Sequence, residues 1–201
     1  MFISQSLKRL INLKKKNYLE FLFLIILGAL TSLSLPPYNY LIINFITISL
    51  FFIFIFQKKK SVKIEYPFAY GWFYGVGYFL TNLYWITISL TFDENFTFLI
   101  PIALILIPSF LALFYGLATY CFFIIKIKKP TSNLFLFSLL FGMAEFLRGN
   151  ILTGFPWNLI AYSFSENLEI LQIISLIGTY SFNVLCISFF ASPDDSYIKK
   201  K

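Results

Sequence analysis

No histidine occurs anywhere in the 201 residues. That absence removes imidazole metal sites and histidine-based acid/base catalysis together. Cysteine is scarce as well, and Cys121 and Cys186 alone cannot supply the framework of a disulfide-stapled secreted module. Charge is the third shortage: 12% of the residues are charged, against roughly 25% in soluble domains. What fills the space is 59% hydrophobic and 21% aromatic residues, with a mean hydropathy of +0.79. A chain of this length has too little interior to hide so much apolar surface from water. The same composition excludes a disordered chain and argues against reading the net charge of +7 as a nucleic-acid footprint. What remains is a polytopic membrane protein.

Six apolar runs approach the roughly 20 residues that cross a bilayer core. They cover about 19–35, 39–56, 68–90, 98–125, 132–148 and 170–191. In lipid each must be helical, because an open strand would leave its backbone groups without partners. The expected fold is therefore an all-α transmembrane bundle of about six spans. A basic segment, 1–17, precedes a transmembrane domain, 18–191, and a short Lys-rich tail, 192–201, follows it. Pro36 and Pro37 cannot continue the first helix, so with Tyr38 and Asn39 they predict a tight reversal and make the first two runs a hairpin. The fourth run is too long for one straight span and carries Pro101 and Pro108, which predicts an interfacial start or a kink.

Basic residues set the expected orientation. Lys8, Arg9 and Lys14–Lys16 precede the first run, Lys58–Lys60 and Lys63 follow the second, Lys126, Lys128 and Lys129 follow the fourth, and Lys199–Lys201 end the chain. The intervening loops carry Asp93, Glu94, Glu166 and Glu169 but no lysine. The positive-inside rule then places both termini in the cytoplasm. Attraction of the lysines to anionic inner-leaflet lipid is expected from the same distribution. A cleaved signal peptide is the rival reading of the first run. The long basic stretch, Glu20 at the start of the run and the lack of an A-x-A site speak against it.

The residues with most chemical content lie between Ala144 and Tyr162. Glu145 and Arg148 stand three apart near a helix end, so they share a face and can pair. Charges at that depth are costly and have a partner or a substrate. Gly154, Phe155, Pro156 and Trp157 then form a rigid aromatic turn. Two readings stand side by side. Glu145 and Arg148 neutralise each other while Phe155 and Trp157 belong to the interfacial aromatic belt, or the group faces a substrate. In the third run Gly71 and Gly75 have the spacing that lets another helix approach closely, with Asn82 and Trp85 as further candidates for a substrate-facing surface. Cys121 and Cys186 sit in apolar surroundings without an acid/base partner, and packing is the expected role of both. No metal-ligand cluster, phosphate-cradling loop or ladder of intramembrane acids is present, so no cofactor or metal is implied.

At these positions the sequence resembles the apolipoprotein N-acyltransferases. The matching elements are Ser34-Leu35-Pro36-Pro37-Tyr38 after Gly28-Ala29, and the glycine and aromatic stretch from Gly71 to Trp85. Most specific is Glu145-Phe146-Leu147-Arg148-Gly149 followed by Thr153-Gly154-Phe155-Pro156-Trp157 and Tyr162-Ser163. The resemblance runs in order from about residue 20 to 190. It implies the membrane domain of a multi-pass enzyme of the bacterial inner membrane that serves lipoprotein biosynthesis. In that family a nitrilase-like domain with a Glu-Lys-Cys triad takes an acyl chain from phospholipid and passes it to the N-terminal amine of a diacylated apolipoprotein, a protein modification by covalent nucleophilic catalysis.

No catalytic residue transfers to this chain, because its 201 residues end before such a domain begins. The resemblance therefore implies a fragment, a truncated reading frame or half of a split enzyme, inactive alone, with the nitrilase-like half encoded separately in the split case. The alternative is a non-catalytic lipid-binding membrane protein or a degenerate remnant. With the resemblance in view, Glu145, Arg148, Gly154, Phe155, Pro156, Trp157 and Trp85 are expected to bind substrate or dock the catalytic domain, with Arg148 suited to a phospholipid phosphate.

Overall fold

A computed structural model describes residues 2–60, 66–151 and 154–192, and every regular element among them is helical. Of the expected tail 192–201 only Ser192 is described, and Lys63 and Thr153 also lie outside the described residues.

The first helix, α1, runs unbroken from Phe2 to Ser32 and so includes most of the basic N-terminal segment. It tightens at its end, where Leu33, Ser34 and Leu35 each donate to the carbonyl three residues back at 3.1 Å. Pro36 and Pro37 then stop it. The Tyr38 and Asn39 amides both turn onto the Leu35 carbonyl at 3.1 Å, and Asn39 takes a left-handed φ of 56° that its short polar side chain tolerates. The chain returns as α2, Ile42–Lys60, and completes the expected hairpin.

Helix α3, Pro67–Leu83, begins on a proline whose missing N–H costs nothing in a first turn. It packs between α1 and α4, Ile100–Ile124. The expected small-residue contact is present: a Cβ on Gly71 would lie 2.2 Å from the Tyr115 carbonyl oxygen, and one on Gly75 would lie 3.0 Å from the Ala112 Cβ. The opposite face of α3 is equally close to α1. A Cβ on Gly77 would lie 2.0 Å from the Ile25 carbonyl oxygen, and one on Gly28 2.0 Å from that of Tyr74. Side chains reinforce the approach, since the Trp72 indole donates to the Ser109 carbonyl at 3.0 Å and Thr31 bonds the Tyr74 hydroxyl at 2.9 Å.

Two of the six runs are not single helices. The run 68–90 is α-helical only to Leu83 and continues as a 3₁₀ segment, Tyr84–Thr91. Thr87, Ser89 and Thr91 each donate a hydroxyl to the carbonyl three residues back at 2.7 Å, a local bonding that competes with the α-helical ladder. A second 3₁₀ segment, Glu94–Leu99, leads into α4, so the overlong fourth run does start outside the regular helix, with Pro101 in its first turn and Pro108 within. After α5, Pro130–Asn150, and a 3₁₀ turn at Ile160–Phe164, the last run divides into α6, Leu168–Leu171, α7, Ile173–Ile177, and α8, Thr179–Ala191. Gly178 makes the break, at φ 80° and ψ 158°, a region open only to glycine.

Three stretches, Ile42–Lys60, Glu94–Ile124 and Pro130–Asn150, are long and apolar enough to cross a bilayer, while Asn17–Ser32, Leu168–Ile177 and Thr179–Ala191 are shorter apolar helices. The core between the helices is aromatic. Phe51 stacks on Tyr74 with centroids 3.9 Å apart, and Phe137 and Phe141 meet Phe51 edge-on. Asn44, 0% exposed on α2, has neither side-chain atom bonded among the described residues. Replacing both polar atoms with an apolar group of similar shape removes that cost. Asn44→Leu should therefore raise the Tm in detergent by about 2–4 °C, corresponding to roughly 1 kcal/mol. A lowered Tm in a detergent melt would show that Asn44 is satisfied.

Candidate functional site

The C-terminal end of α5 carries the pair the spacing anticipates. Arg148 Nε donates to Glu145 Oε2 at 3.0 Å, and Nη2 donates to the same oxygen. The other carboxylate oxygen accepts the Tyr115 hydroxyl from α4. Glu145 is 0% and Arg148 2% exposed, so this is a buried, fully enclosed ion pair. Charges buried in this way persist only when each is matched and the remaining donors are satisfied. The third direction of the guanidinium meets that condition: Nη1 donates to the Phe155 carbonyl at 2.8 Å, and the Phe155 amide returns to the Arg148 carbonyl at 2.9 Å. The ring of Phe79 faces the guanidinium carbon at 5.1 Å.

Arg148 thus holds the turn that follows it. Gly154 sits at φ 78°, and a Cβ there would come within 2.4 Å of the Gly149 carbonyl oxygen, so the turn can be this tight only with glycine. Two more side chains hold the irregular stretch beyond. The Tyr78 hydroxyl from α3 donates to the Asn158 carbonyl at 2.8 Å, and Asn183 Oδ1 from α8 accepts the Ala161 amide at 2.9 Å. The segment 154–161 is therefore fastened by groups from three helices. Asn158, at φ 60°, takes the second left-handed turn within it.

The result of that fastening is the position of Trp157. Its ring stacks on Trp85 with centroids 5.2 Å apart and planes 17° from parallel, and Phe155 tilts against it at 5.7 Å. The two tryptophans, 72 residues apart in sequence, form one wall of a cleft of about 370 Å³. Leu35 and Pro36 of the hairpin form another, and Asn82, Asn158 and Tyr162 add polar edges. Burial first, with the Tyr180 phenol second, pushes the Tyr162 hydroxyl above its ordinary range, so it stays protonated. The hairpin is tied across the cleft, since Asn39 Nδ2 donates to Glu166 Oε1 at 2.7 Å and Ser165 donates to Asn39 Oδ1 at 3.3 Å.

The residues singled out from sequence thus divide. Trp85 and Trp157 meet at the cleft, and Pro156 is exposed beside them. Phe155 is half-buried and Gly154 shapes the turn. Glu145 and Arg148 lie beneath, and Arg148 presents no donor to the cleft. A phosphate would reach it only after its bonds to Glu145 and Phe155 had opened. Sequence reasoning passed over Tyr78, Tyr115 and Asn183. The signal for Tyr115 was one of the few hydroxyls in a mostly apolar helix, with a buried acid to pair with, but the partner lies 30 residues away. Chemically the cleft is apolar with amide and hydroxyl edges, suited to binding a long apolar group rather than to breaking a bond.

Residues 27–191 match the apolipoprotein N-acyltransferase N-terminal domain. The apolipoprotein N-acyltransferase of Rhodopseudomonas palustris is 36% identical over 171 residues, which cover 83% of this chain and 31% of that protein. Those of Brucella melitensis and Rhizobium etli are 30% and 32% identical over 176 and 173 residues, in each case 83% of this chain and 32% of the relative. The chain therefore spans about a third of the length of the curated relatives it matches. With the family match covering most of the chain, this protein belongs to the apolipoprotein N-acyltransferase N-terminal domain family.

Proposed function

We propose that this chain is the membrane-embedded portion of an apolipoprotein N-acyltransferase, and that its cleft receives an acyl chain of the phospholipid donor below a nitrilase-like catalytic domain. The diacylated apolipoprotein is the acceptor. The catalytic half is supplied by further sequence or by a separately encoded chain, and these 201 residues alone transfer no acyl group. The observation that carries this reading is the Trp85–Trp157 wall, set at the end of the bundle opposite the lysines by three helices acting on one loop. Glu145 and Arg148 contribute by holding Phe155, and through it Trp157, in place.

The test is a chimera in which this chain replaces the matching N-terminal third of the Rhodopseudomonas palustris enzyme, expressed in cells depleted of their own N-acyltransferase. Mass spectrometry of a reporter lipoprotein should show the third acyl chain. Trp157→Ala should lower acyl transfer at least about tenfold, as loss of roughly 1.4 kcal/mol of stacking contact implies, with little change in protein level. A chimera present at the parent's level that acylates nothing would leave lipid binding without catalysis as the function.

The topology belongs to the same proposal: six crossings of the bacterial inner membrane with both termini cytoplasmic, the basic segment 1–17 and the tail 192–201 flanking the bundle. Support comes from Lys58–Lys60 and Lys126–Lys129 gathering at one end of antiparallel helices while Glu166 lies with the hairpin at the other. Reporter fusions at Asn95 and Lys60 should read outside and inside respectively, and matching readings from both would refute it.

A further inference from the structure

The basic end of the bundle contains a second cleft, of about 340 Å³, which the acyl-transfer proposal does not use. Lys59 and Lys60 reach it from the end of α2, Lys126 and Lys128 from the α4–α5 connection, and Phe56 and Phe123 form its floor. No carboxylate lines it among the described residues. Lys58, on the same helix turn, differs, because it pairs with Glu20 of α1.

Two of the four lysine heads are held in place. Lys59 Nζ donates to Asn133 Oδ1 at 2.9 Å and lies 4.0 Å from the Phe122 ring centroid, and Lys60 Nζ lies 4.4 Å from that of Phe56. Asn133, 0% exposed, also donates to the Ile127 and Lys129 carbonyls at 2.9 Å each. One buried amide therefore fixes both the Lys59 head and the path of the loop that carries Lys126 and Lys128. Four lysines line this cavity with no carboxylate beside them among the described residues, and an anion would complement their charge. The aromatic floor, and exposed Ile124 and Ile125 immediately before Lys126, suit an anion that carries an apolar tail.

We propose that this cleft binds the phosphodiester headgroup of an anionic phospholipid, with its acyl chains running along α4. Lysine pockets between membrane helices recognise such headgroups by charge and by the adjoining apolar surface. The site is independent of acyl transfer, lies at the other end of the bundle and consumes no substrate.

The 201-residue protein purified in dodecyl maltoside tests this by native mass spectrometry and thermal melting. The probes are phosphatidylglycerol, phosphatidylethanolamine and inorganic phosphate. Phosphatidylglycerol should remain bound and raise the Tm, while phosphatidylethanolamine and inorganic phosphate should do neither at the same concentration. Lys126→Gln/Lys128→Gln should weaken phosphatidylglycerol binding about thirtyfold, and Lys58→Gln/Lys129→Gln, with the same loss of charge at described lysines that do not line the cleft, less than about threefold. Equal loss in the two variants would reduce the effect to general charge attraction and overturn the proposal. An equal shift with inorganic phosphate would make it a free-phosphate site, and an equal shift with phosphatidylethanolamine would remove the anionic selectivity; either result overturns it.

Discussion

Glu145→Ala should lower the stability of the bundle by about 3–5 kcal/mol, because it leaves the Arg148 guanidinium buried without its counter-ion. The charge has nowhere to go: Arg148 is 2% exposed, and its neighbours include the rings of Phe79 and Phe155. The same substitution strips the Tyr115 hydroxyl of its acceptor in the middle of an aromatic cluster with Tyr74, Tyr78 and Phe141. In a detergent melt followed by size-exclusion fluorescence this corresponds to a Tm lower by roughly 10 °C. Arg148→Met should cost a similar amount by stranding the carboxylate and freeing the Phe155 carbonyl. The double variant Glu145→Met/Arg148→Met should lose less than the two singles together, since groups in one network do not add. Single variants melting within about 2 °C of the parent would mean that water reaches the pair and that the loop is held by other bonds.

Gly77→Ala should be nearly as damaging despite adding one methyl group. The new Cβ would lie 2.0 Å from the Ile25 carbonyl oxygen, and a backbone carbonyl cannot rotate aside as a side chain can. Either α1 moves away from α3 or α3 bends, and overpacking of this kind costs at the upper end of roughly 1–3 kcal/mol. The displacement would also part Thr31 from the Tyr74 hydroxyl. Gly75→Ala is the internal control. The atoms nearest its Cβ would be the Ala112 Cβ and Cα at 3.0 and 3.1 Å and the Tyr115 Cβ at 3.3 Å, so a few tenths of an ångström of adjustment relieve it. The yield of monodisperse protein should fall severalfold for Gly77→Ala and modestly for Gly75→Ala. The reverse order would show that the α3–α4 contact, not α1–α3, limits assembly.

Much of the architecture was legible because membrane helices are specified locally. Each must satisfy its own backbone, so apolar run length and the prolines at 36 and 37 suffice to place the end of α1, α2 and their reversal, although α1 itself extends back through the basic segment to Phe2. The pairing of Glu145 with Arg148 was legible for the same reason: three residues on a helix is a fixed geometry that needs no knowledge of the rest of the chain. The two runs that are not single helices, 68–90 and 170–191, both contain residues whose effect depends on a choice between local alternatives. Thr87, Ser89 and Thr91 can continue an α-helix or bond to their own turn, and Gly178 can be helical or break a helix. Hydropathy averages over such residues and cannot distinguish the outcomes.

The candidate site was half legible. Its motif residues were visible, but their roles were not, because Arg148 could equally face a headgroup or support a loop. Supporting the loop required Tyr115, Tyr78 and Asn183, contributed by three other helices at separations that no periodicity encodes. Composition and local spacing were enough for the membrane-like apolar character, the helical class, the segregation of lysine and the charged pair, since each follows from transfer energies or from the pitch of a single helix. Helix-to-helix packing assigned the rest: which face of α3 meets α1, which tryptophan meets Trp157, and which lysines share a cleft. Those contacts depend on side-chain shape between segments far apart in the chain, and small residues such as Gly28 and Gly77 determine them by what they leave out.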